Sequence, residues 1–187
     1  MKTFSNSEAL SKAYVALISA KARHYCLTRV VFDNYSVAEQ SLKEGTRARR
    51  RGTKATPVRG YKVEDATKIK DAKSFLGNTT TKDDLTQYLA QKLRDDAHIP
   101  IIAATHKGVL SNTGIDTVPG ASSQEEADTL MMLHAVEASR EGLTVHVYSQ
   151  DTDVLLLAIR RVPLLGENPA MLMGTKDRRR LIELQPI

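Results

Sequence analysis

Cysteine is almost absent from this sequence, and its scarcity limits what the chain can be. Cys26 is the only cysteine among 187 residues, so an intrachain disulfide is excluded. Because disulfides are typical of secreted proteins, this favours an intracellular location, nuclear or cytoplasmic. The sequence has no Cys-x-x-Cys and no His-Glu-x-x-His pattern, so no zinc site of these kinds is expected.

Long apolar runs are missing as well. No run approaches the roughly 20 apolar residues that a membrane-spanning helix needs. Residues 1–8 also lack the apolar core of a signal peptide. We therefore expect no membrane partner.

What the sequence does contain is enough apolar material for a folded core. With 41% hydrophobic residues in a chain of 187, we expect a single domain over residues 1–187. The net charge of +5 is compatible with a polyanionic partner such as a nucleic acid. These features leave the oligomeric state open.

Hydrophobic periodicity predicts helices and strands that alternate along the chain. A cap at Asn6 or Ser7 starts the first predicted helix, and residues 81–84 are predicted to cap the second. The stretch 105–119 is predicted to be a loop. The predicted helices span 8–25, 82–97, 124–141 and 153–161, and the predicted strands span 28–33, 99–104, a run that starts at Leu143, 170–173 and 181–184.

This alternation predicts an α/β fold. Helices that separate parallel strands must cover the faces of the sheet, which gives a three-layer sandwich with a mainly parallel, Rossmann-like sheet. The last two strands, separated by residues 177–180, are predicted to form an antiparallel hairpin at the edge of that sheet.

A basic insertion interrupts the pattern at about residues 40–75. Lysine and arginine far outnumber the acids from Gln40 to Lys73, and glycine and proline break the periodicity. We expect this insertion to be partly mobile. Two interpretations stay open: a solvated loop without function, or a contact to a phosphate backbone.

Two carboxylates, Asp151 and Asp153, follow the strand that starts at Leu143. In open α/β sheets, ligands bind outside the carboxyl ends of the strands. Paired aspartates at such a place suit a hard cation such as Mg²⁺. The alternative is that one of them only caps the helix 153–161.

Further acids are predicted to reach the same edge of the sheet. Asp33 ends the strand 28–33, and Glu125, Glu126 and Asp128 open the helix 124–141. Crowded carboxylates repel one another unless cations neutralise them. Together these acids predict a two-metal site of the kind that serves phosphoryl transfer.

Three motifs, taken in order, resemble the flap endonuclease/XPG nucleases of the PIN-like superfamily. Val-Phe-Asp at 31–33, Leu-Lys at 42–43 and the arginines of 47–51 are similar to that family's FDG…LK…R…RR segment. Glu-Glu-Ala-Asp at 125–128 resembles EAEA, and the stretch 148–155 resembles (T/S)xDxDxL. The chain also resembles a set of invertebrate, element-associated PIN-like proteins that carry EEADT and SPDTDVLVL.

The resemblance implies a nuclease that hydrolyses phosphodiester bonds in DNA or RNA with two Mg²⁺ or Mn²⁺ ions. Helical spacing alone would pair Glu125 with Asp128, so Glu125 stays an alternative to Glu126. The implied metal ligands are Asp33, Glu126, Asp128, Asp151 and Asp153; the implied catalytic contacts to the scissile phosphate are Lys43 and Arg50; and the implied nucleic-acid-binding residues are Arg47, Arg49, Arg51 and Lys54.

Departures from the family leave two other functions open. Nothing before residue 28 matches the strand that carries the family's first metal-binding Asp, and no later GSD or GCD segment occurs. The chain therefore resembles a truncated copy, and an inactive nucleic-acid-binding or scaffold protein is the alternative. A second alternative treats Asp151 and Asp153 as the DxD of a haloacid-dehalogenase-type phosphatase. The five histidines are scattered, and none is predicted to be catalytic.

Overall fold

The structure is a computed structural model that describes residues 4–35, 60, 62–114, 127–174 and 178–185. The chain is divided into two compact units, Met1–Asp116 and Thr117–Ile187. Each unit has its own helices, its own sheet and its own core, and each is described by itself below.

Two long helices frame the first unit. Helix α1 spans Ser7–Ala22 and begins at Asn6, whose side chain accepts a hydrogen bond from the backbone N–H of Ala9 at 3.0 Å. This confirms the predicted cap, because an Asn oxygen satisfies an N–H that has no partner within the helix. Two further helices of this unit are α2, Ala72–Phe75, and α3, Thr79–Asp96.

Helix α3 begins earlier than the sequence predicts. Its cap is Asn78, whose side-chain oxygen accepts from the N–H of Thr81 at 3.1 Å. Thr81, which was predicted to cap the helix, is instead fully buried inside its first turn. The prediction was wrong here because Asn and Thr are both good caps, and the pattern does not tell which of two neighbouring candidates is used.

The sheet of the first unit has three strands in the order β1-β2-β3. Strand β1, Thr28–Val31, pairs in parallel with β2, Ile101–Thr105, and β2 pairs antiparallel with β3, Gly108–Ser111. Strand β3 lies within the predicted loop 105–119, so that prediction was wrong for these residues. The strand begins at a glycine, which is rare in strands and typical of loops, but pairing with the buried β2 is sufficient to form it.

The core of the first unit lies between strand β2 and the two long helices, α1 and α3. All five residues of β2 are buried. Ala90 and Leu93 of α3 and Val15 of α1 pack in the same cluster as Ile101 and Ala103. A strand buried in this way has a continuous apolar sequence. This pattern is why the strand could be predicted.

The C-terminal part of the predicted basic insertion, residues 62–75, is packed against α1 and α3. Val63 and Phe75 are buried in a cluster with Leu85, Tyr88 and Leu89. The N–H of Val63 donates to Asp84 Oδ2 at 2.7 Å, so a helix side chain fixes the backbone of this segment. The carboxylate of Asp65 accepts from the Tyr88 hydroxyl at 2.7 Å and forms an ion pair with Lys92.

The second unit contains helix α4, Ala127–Arg140, strand β4, His146–Tyr148, and helix α5, Thr152–Arg161. A short 3₁₀ helix, Val162–Leu164, follows α5. Strands β5, Ala170–Met173, and β6, Arg180–Glu183, complete a three-stranded sheet in the order β4-β5-β6. Met132, Val154, Leu165 and Met171 form the fully buried centre of this unit.

The C-terminal hairpin is confirmed. Strand β4 pairs in parallel with β5, and β5 pairs antiparallel with β6. Gly174, which follows β5, has a φ of +85°, and a Cβ at this position would collide with the carbonyl oxygen of Arg178. The turn therefore requires glycine, because only glycine adopts this conformation without a steric penalty.

The protein is thus mixed α/β, with two three-stranded sheets that each combine a parallel and an antiparallel pair. Within the described ranges, no helix is both long and apolar enough to cross a membrane.

Candidate functional site

The paired aspartates follow strand β4, as predicted. Asp151 is the N-cap of α5, and its Oδ1 accepts from the backbone N–H of Asp153 at 2.9 Å. Its own N–H donates to Ser149 Oγ at 3.1 Å, which fixes the turn between strand and helix. The alternative of a capping role is therefore correct for Asp151. A carboxylate has two oxygens and about four acceptor positions, so capping does not by itself preclude a further ligand.

Asp153 and Asp128 occupy equivalent places on two helices. Asp153 lies in the first turn of α5 and is exposed, while Asp128 lies in the first turn of α4 and is half-buried. The partial positive charge of a helix N-terminus stabilises a carboxylate at either position. Helices α4 and α5 pack against each other within the second unit.

Gln150 holds the loop between β4 and α5 against the end of β5. Its Nε2 donates to the carbonyl oxygen of Gly174 at 2.9 Å. This contact joins the residue before Asp151 to the residue after β5. The carboxyl ends of the two parallel strands of this unit therefore form one continuous edge, with Asp151 beside it.

Asp33 lies in the first unit, two residues after the end of β1. Its Oδ2 accepts from the hydroxyl of Tyr35 at 3.1 Å. Lys82 of α3 places its Nζ at 5.3 Å from the centre of the Tyr35 ring, within the range of a cation–π contact. The carboxylate that the sequence singled out is thus held at the edge of a parallel strand pair by Tyr35, whose ring contacts a lysine of α3.

A second polar group at the edge of the first sheet was missed by the sequence analysis. His106 follows β2, and its Nδ1 lies 3.1 Å from Oδ1 of Asp83 on α3. Both side chains are mostly buried, with 13% and 16% of their surfaces exposed. Lys107 Nζ lies 3.4 Å from the other oxygen of Asp83. The available signal was the position of His106 directly after a predicted strand.

Thr105 and Gln87 connect this pair to the hairpin turn. Thr105 Oγ1 lies 3.2 Å from Gln87 Oε1 and 3.1 Å from the carbonyl oxygen of Gly108, and its single hydroxyl proton serves one of them at a time. Gln87 Nε2 lies 3.5 Å from His106 Nδ1. The cluster ties the β2–β3 turn to α3, which is a structural role sufficient to account for these side chains.

The predicted acids are therefore divided between the two units. Asp33 belongs to the first unit, and Asp128, Asp151 and Asp153 belong to the second. Among the residues that the structure describes, no group of three or more His, Cys, Asp or Glu side chains is placed to hold a metal ion. The predicted site residues outside the described ranges are Lys43, Arg47, Arg49, Arg50, Arg51, Lys54, Glu125 and Glu126.

The donor chemistry of the second unit suits a hard divalent cation. Asp128, Asp151 and Asp153 offer only carboxylate oxygens, which Mg²⁺ and Mn²⁺ accept, and Mg²⁺ keeps several waters in its coordination shell. The described acids do not form a complete shell by themselves. Glu125 and Glu126 immediately precede α4 in the sequence and are the nearest further carboxylates along the chain.

Comparisons with models of known protein families, with curated protein sequences and with solved structures found no match for this chain. The resemblance to the PIN-like nucleases therefore stays a prediction that depends on the three motifs.

Proposed function

We propose that this protein is a divalent-metal-dependent, nuclease-like protein that hydrolyses phosphodiester bonds in DNA or RNA. The observation that carries the proposal is the position of Asp151 and Asp153 at the turn between β4 and α5. This turn is held by Ser149 and Gln150 at the carboxyl edge of a parallel strand pair. That edge is where α/β sheets bind their ligands. The same proposal includes the three-layer, PIN-like arrangement around a mainly parallel sheet.

The direction of α4 supports a contribution from its first turn. Residues 141–145 join the end of α4 to the start of β4, so α4 leads toward the amino end of that strand. Its first turn, with Asp128, is then directed toward the opposite, carboxyl end of β4. Two helices that pack together would thus direct carboxylates toward one edge.

Each residue has a distinct role in the proposed reaction. Asp128, Asp151 and Asp153 of the second unit, with Glu126, would hold Mg²⁺ or Mn²⁺. When bound, two such ions lower the pKa of an attacking water and stabilise the leaving oxygen. Lys43 and Arg50 would contact the scissile phosphate, and Arg47, Arg49, Arg51 and Lys54 would position the nucleic-acid backbone.

Cleavage of labelled flap and single-stranded substrates, measured during a titration with Mg²⁺, tests the proposal. Asp151→Asn is the informative variant, because Asn also caps helices and preserves the start of α5 while it removes the charge. We expect it to reduce cleavage by at least about a hundredfold, the scale of losing an essential catalytic group. Glu167→Gln is the matched control, since it removes one exposed acid from the same unit.

A second candidate is a nucleic-acid-binding scaffold without catalysis. It is favoured by the capping hydrogen bond of Asp151, which gives this residue a structural role that needs no metal. Binding of the same substrates without cleavage at any Mg²⁺ or Mn²⁺ concentration would support it. An aspartyl-phosphate trapped on Asp151 would instead support the phosphatase alternative.

A further inference from the structure

Strand β6 forms one edge of the second sheet, and its outward backbone groups follow from its pairing with β5. The N–H of Leu184 donates to the carbonyl oxygen of Pro169 at 2.9 Å. Hydrogen bonding alternates along an antiparallel strand, so the even-numbered residues of β6 direct their N–H and C=O groups toward β5. The odd-numbered residues Leu181 and Glu183 direct theirs away from β5. Within the described residues, β6 has no other neighbouring strand.

The side chains of β6 also separate into two sets. Ile182 and Leu184 lie on the face toward the core, half-buried and buried. Leu181 and Glu183 alternate with them on the other face and are exposed, as is Arg179, which immediately precedes the strand. Leu181 is 56% exposed.

We propose that β6 is a self-association edge that pairs antiparallel with β6 of a second copy of this chain. A two-fold axis at Leu181 places this residue opposite Leu181 of the second copy. The same register places Arg179 opposite Glu183 of the second copy, and Glu183 opposite its Arg179. One apolar pair is thus flanked by two pairs of opposite charge.

The backbone requires this kind of register. A two-fold axis perpendicular to the sheet leaves every side chain on the same face of the sheet. Directly opposite residues must therefore both be odd-numbered or both even-numbered. In the proposed register, all three facing pairs are odd-numbered, and Leu181 and Glu183 are the residues of β6 whose N–H and C=O groups are directed away from β5. Backbone hydrogen bonding and side-chain complementarity therefore select the same alignment.

The association is expected to be weak and sensitive to salt. Pairing of one short strand buries less than the roughly 1,200–2,000 Å² of a standard stable interface. Two exposed ion pairs contribute little at high ionic strength, because salt screens them. The edge therefore supports a reversible dimer at high protein concentration rather than a permanent one.

Analytical ultracentrifugation of the full chain, over a concentration series at low salt, tests the inference. We expect a monomer–dimer equilibrium whose dissociation constant rises about tenfold or more in either Arg179→Glu or Glu183→Arg, since each variant makes two like-charge pairs. The double variant Arg179→Glu/Glu183→Arg restores opposite charges in both pairs. Its dissociation constant is expected to return to within about threefold of the original value.

Two controls separate this interface from other effects. Glu167→Arg makes the same change in net charge as Glu183→Arg at an exposed position outside β6, and is expected to leave the dissociation constant unchanged. Circular dichroism spectra that match the original protein show that each variant is folded. A chain that stays monomeric at all concentrations, or a double variant no better than the single ones, would overturn the proposal.

Discussion

The central strands of the two sheets differ in how far they are buried. In the first unit, all five residues of β2 are buried, and the polar groups at its end contact one another through Asp83, His106 and Thr105. In the second unit, Ala170 and Met171 of β5 are buried while Leu172 and Met173 are only half-buried. Asp151, at the end of the neighbouring loop, and Asp153, in the first turn of α5, are both exposed. The end of β2 in the first unit thus concentrates structural contacts, whereas the residues that follow β4 in the second unit present accessible carboxylates.

The largest expected effect concerns the buried core of the first unit. Leu93→Ala removes a fully buried side chain between α3 and the first sheet. We expect the free energy of unfolding to fall by about 2–5 kcal/mol, because the cavity cannot close completely. Urea unfolding measures it. Leu156→Ala in the second unit, where the side chain is 65% exposed, is expected to cost less than about 0.5 kcal/mol, and a loss equal to that of Leu93→Ala would contradict the comparison.

A smaller effect is expected at alkaline pH in the first unit. Burial raises the pKa of Tyr14 to about 12, and the ring packs 6.2 Å from that of Phe32. Because the folded pKa lies above the ordinary value, this contribution to stability is complete below pH 10 and is lost as the pH rises toward 12. By pH 11 the loss is about 1.4 kcal/mol.

Tyr14→Phe is the variant that isolates this alkaline dependence. It retains the ring and removes the titrating hydroxyl. Urea unfolding at pH 8, 9, 10 and 11 is expected to show a shallower decline for Tyr14→Phe than for the original chain. Parallel declines for the two proteins would show that Tyr14 does not titrate in a buried environment.

The third prediction separates the two roles of Asp151 in the second unit. Asp151→Ala removes the cap of α5 and is expected to cost about 1 kcal/mol of stability, whereas Asp151→Asn is expected to cost only a few tenths. Thermal unfolding of both variants measures the difference. If Asp151→Asn is as unstable as Asp151→Ala, the capping hydrogen bond does not account for the position of this side chain. Asp151→Asn would then not be a stable variant for the cleavage experiment.

The smallest effect concerns Asp65, which joins residues 62–75 to α3. The hydrogen bond from Tyr88, together with that from Lys92, holds the pKa of Asp65 below its ordinary value. Its contribution is therefore present at neutral pH and is lost as the pH falls through the lowered folded pKa. Urea unfolding from pH 6 to pH 3 is expected to show a weaker acid dependence in Asp65→Asn. The matched control is Asp71→Asn, at the cap of α2, which leaves the Tyr88 contact in place.

Most elements were predictable because their patterns are long or their ends are marked. The predicted strand 170–173 coincides with β5, and the helix predicted over 153–161 differs from α5 by one residue at its start. Strand β3 and helix α2 were missed because neither is a continuous apolar run like the four residues of β5: β3 begins at Gly108, and α2 places Lys73 and Ser74 before Phe75. Periodicity reports which face of a segment is buried, and four residues span only about one helical turn or two strand periods, too few to distinguish a helix from a strand.

The candidate site was predictable only in part, for a different reason. The position of Asp151 after a strand follows from local sequence, and the structure places it there. The sequence left both capping and metal binding open for this carboxylate. The hydrogen bond that it accepts from the N–H of Asp153 shows that it caps α5. The contact between His106 and Asp83 joins residues from a helix and a turn, and no local pattern links them.

The side chain of Asn112, the residue after β3, binds three backbone groups at and just before the start of β2. Its side-chain oxygen accepts from the N–H of Ile101 at 2.9 Å, while its Nδ2 donates to the carbonyl oxygens of Ala97 and Ile99 at 3.2 and 2.9 Å. Spontaneous deamidation would replace that nitrogen with a carboxylate oxygen facing two carbonyl oxygens. Repulsion would then replace attraction at the start of the buried strand. The native hydrogen bonds at the start of β2 therefore depend on one exposed side chain that keeps its amide group.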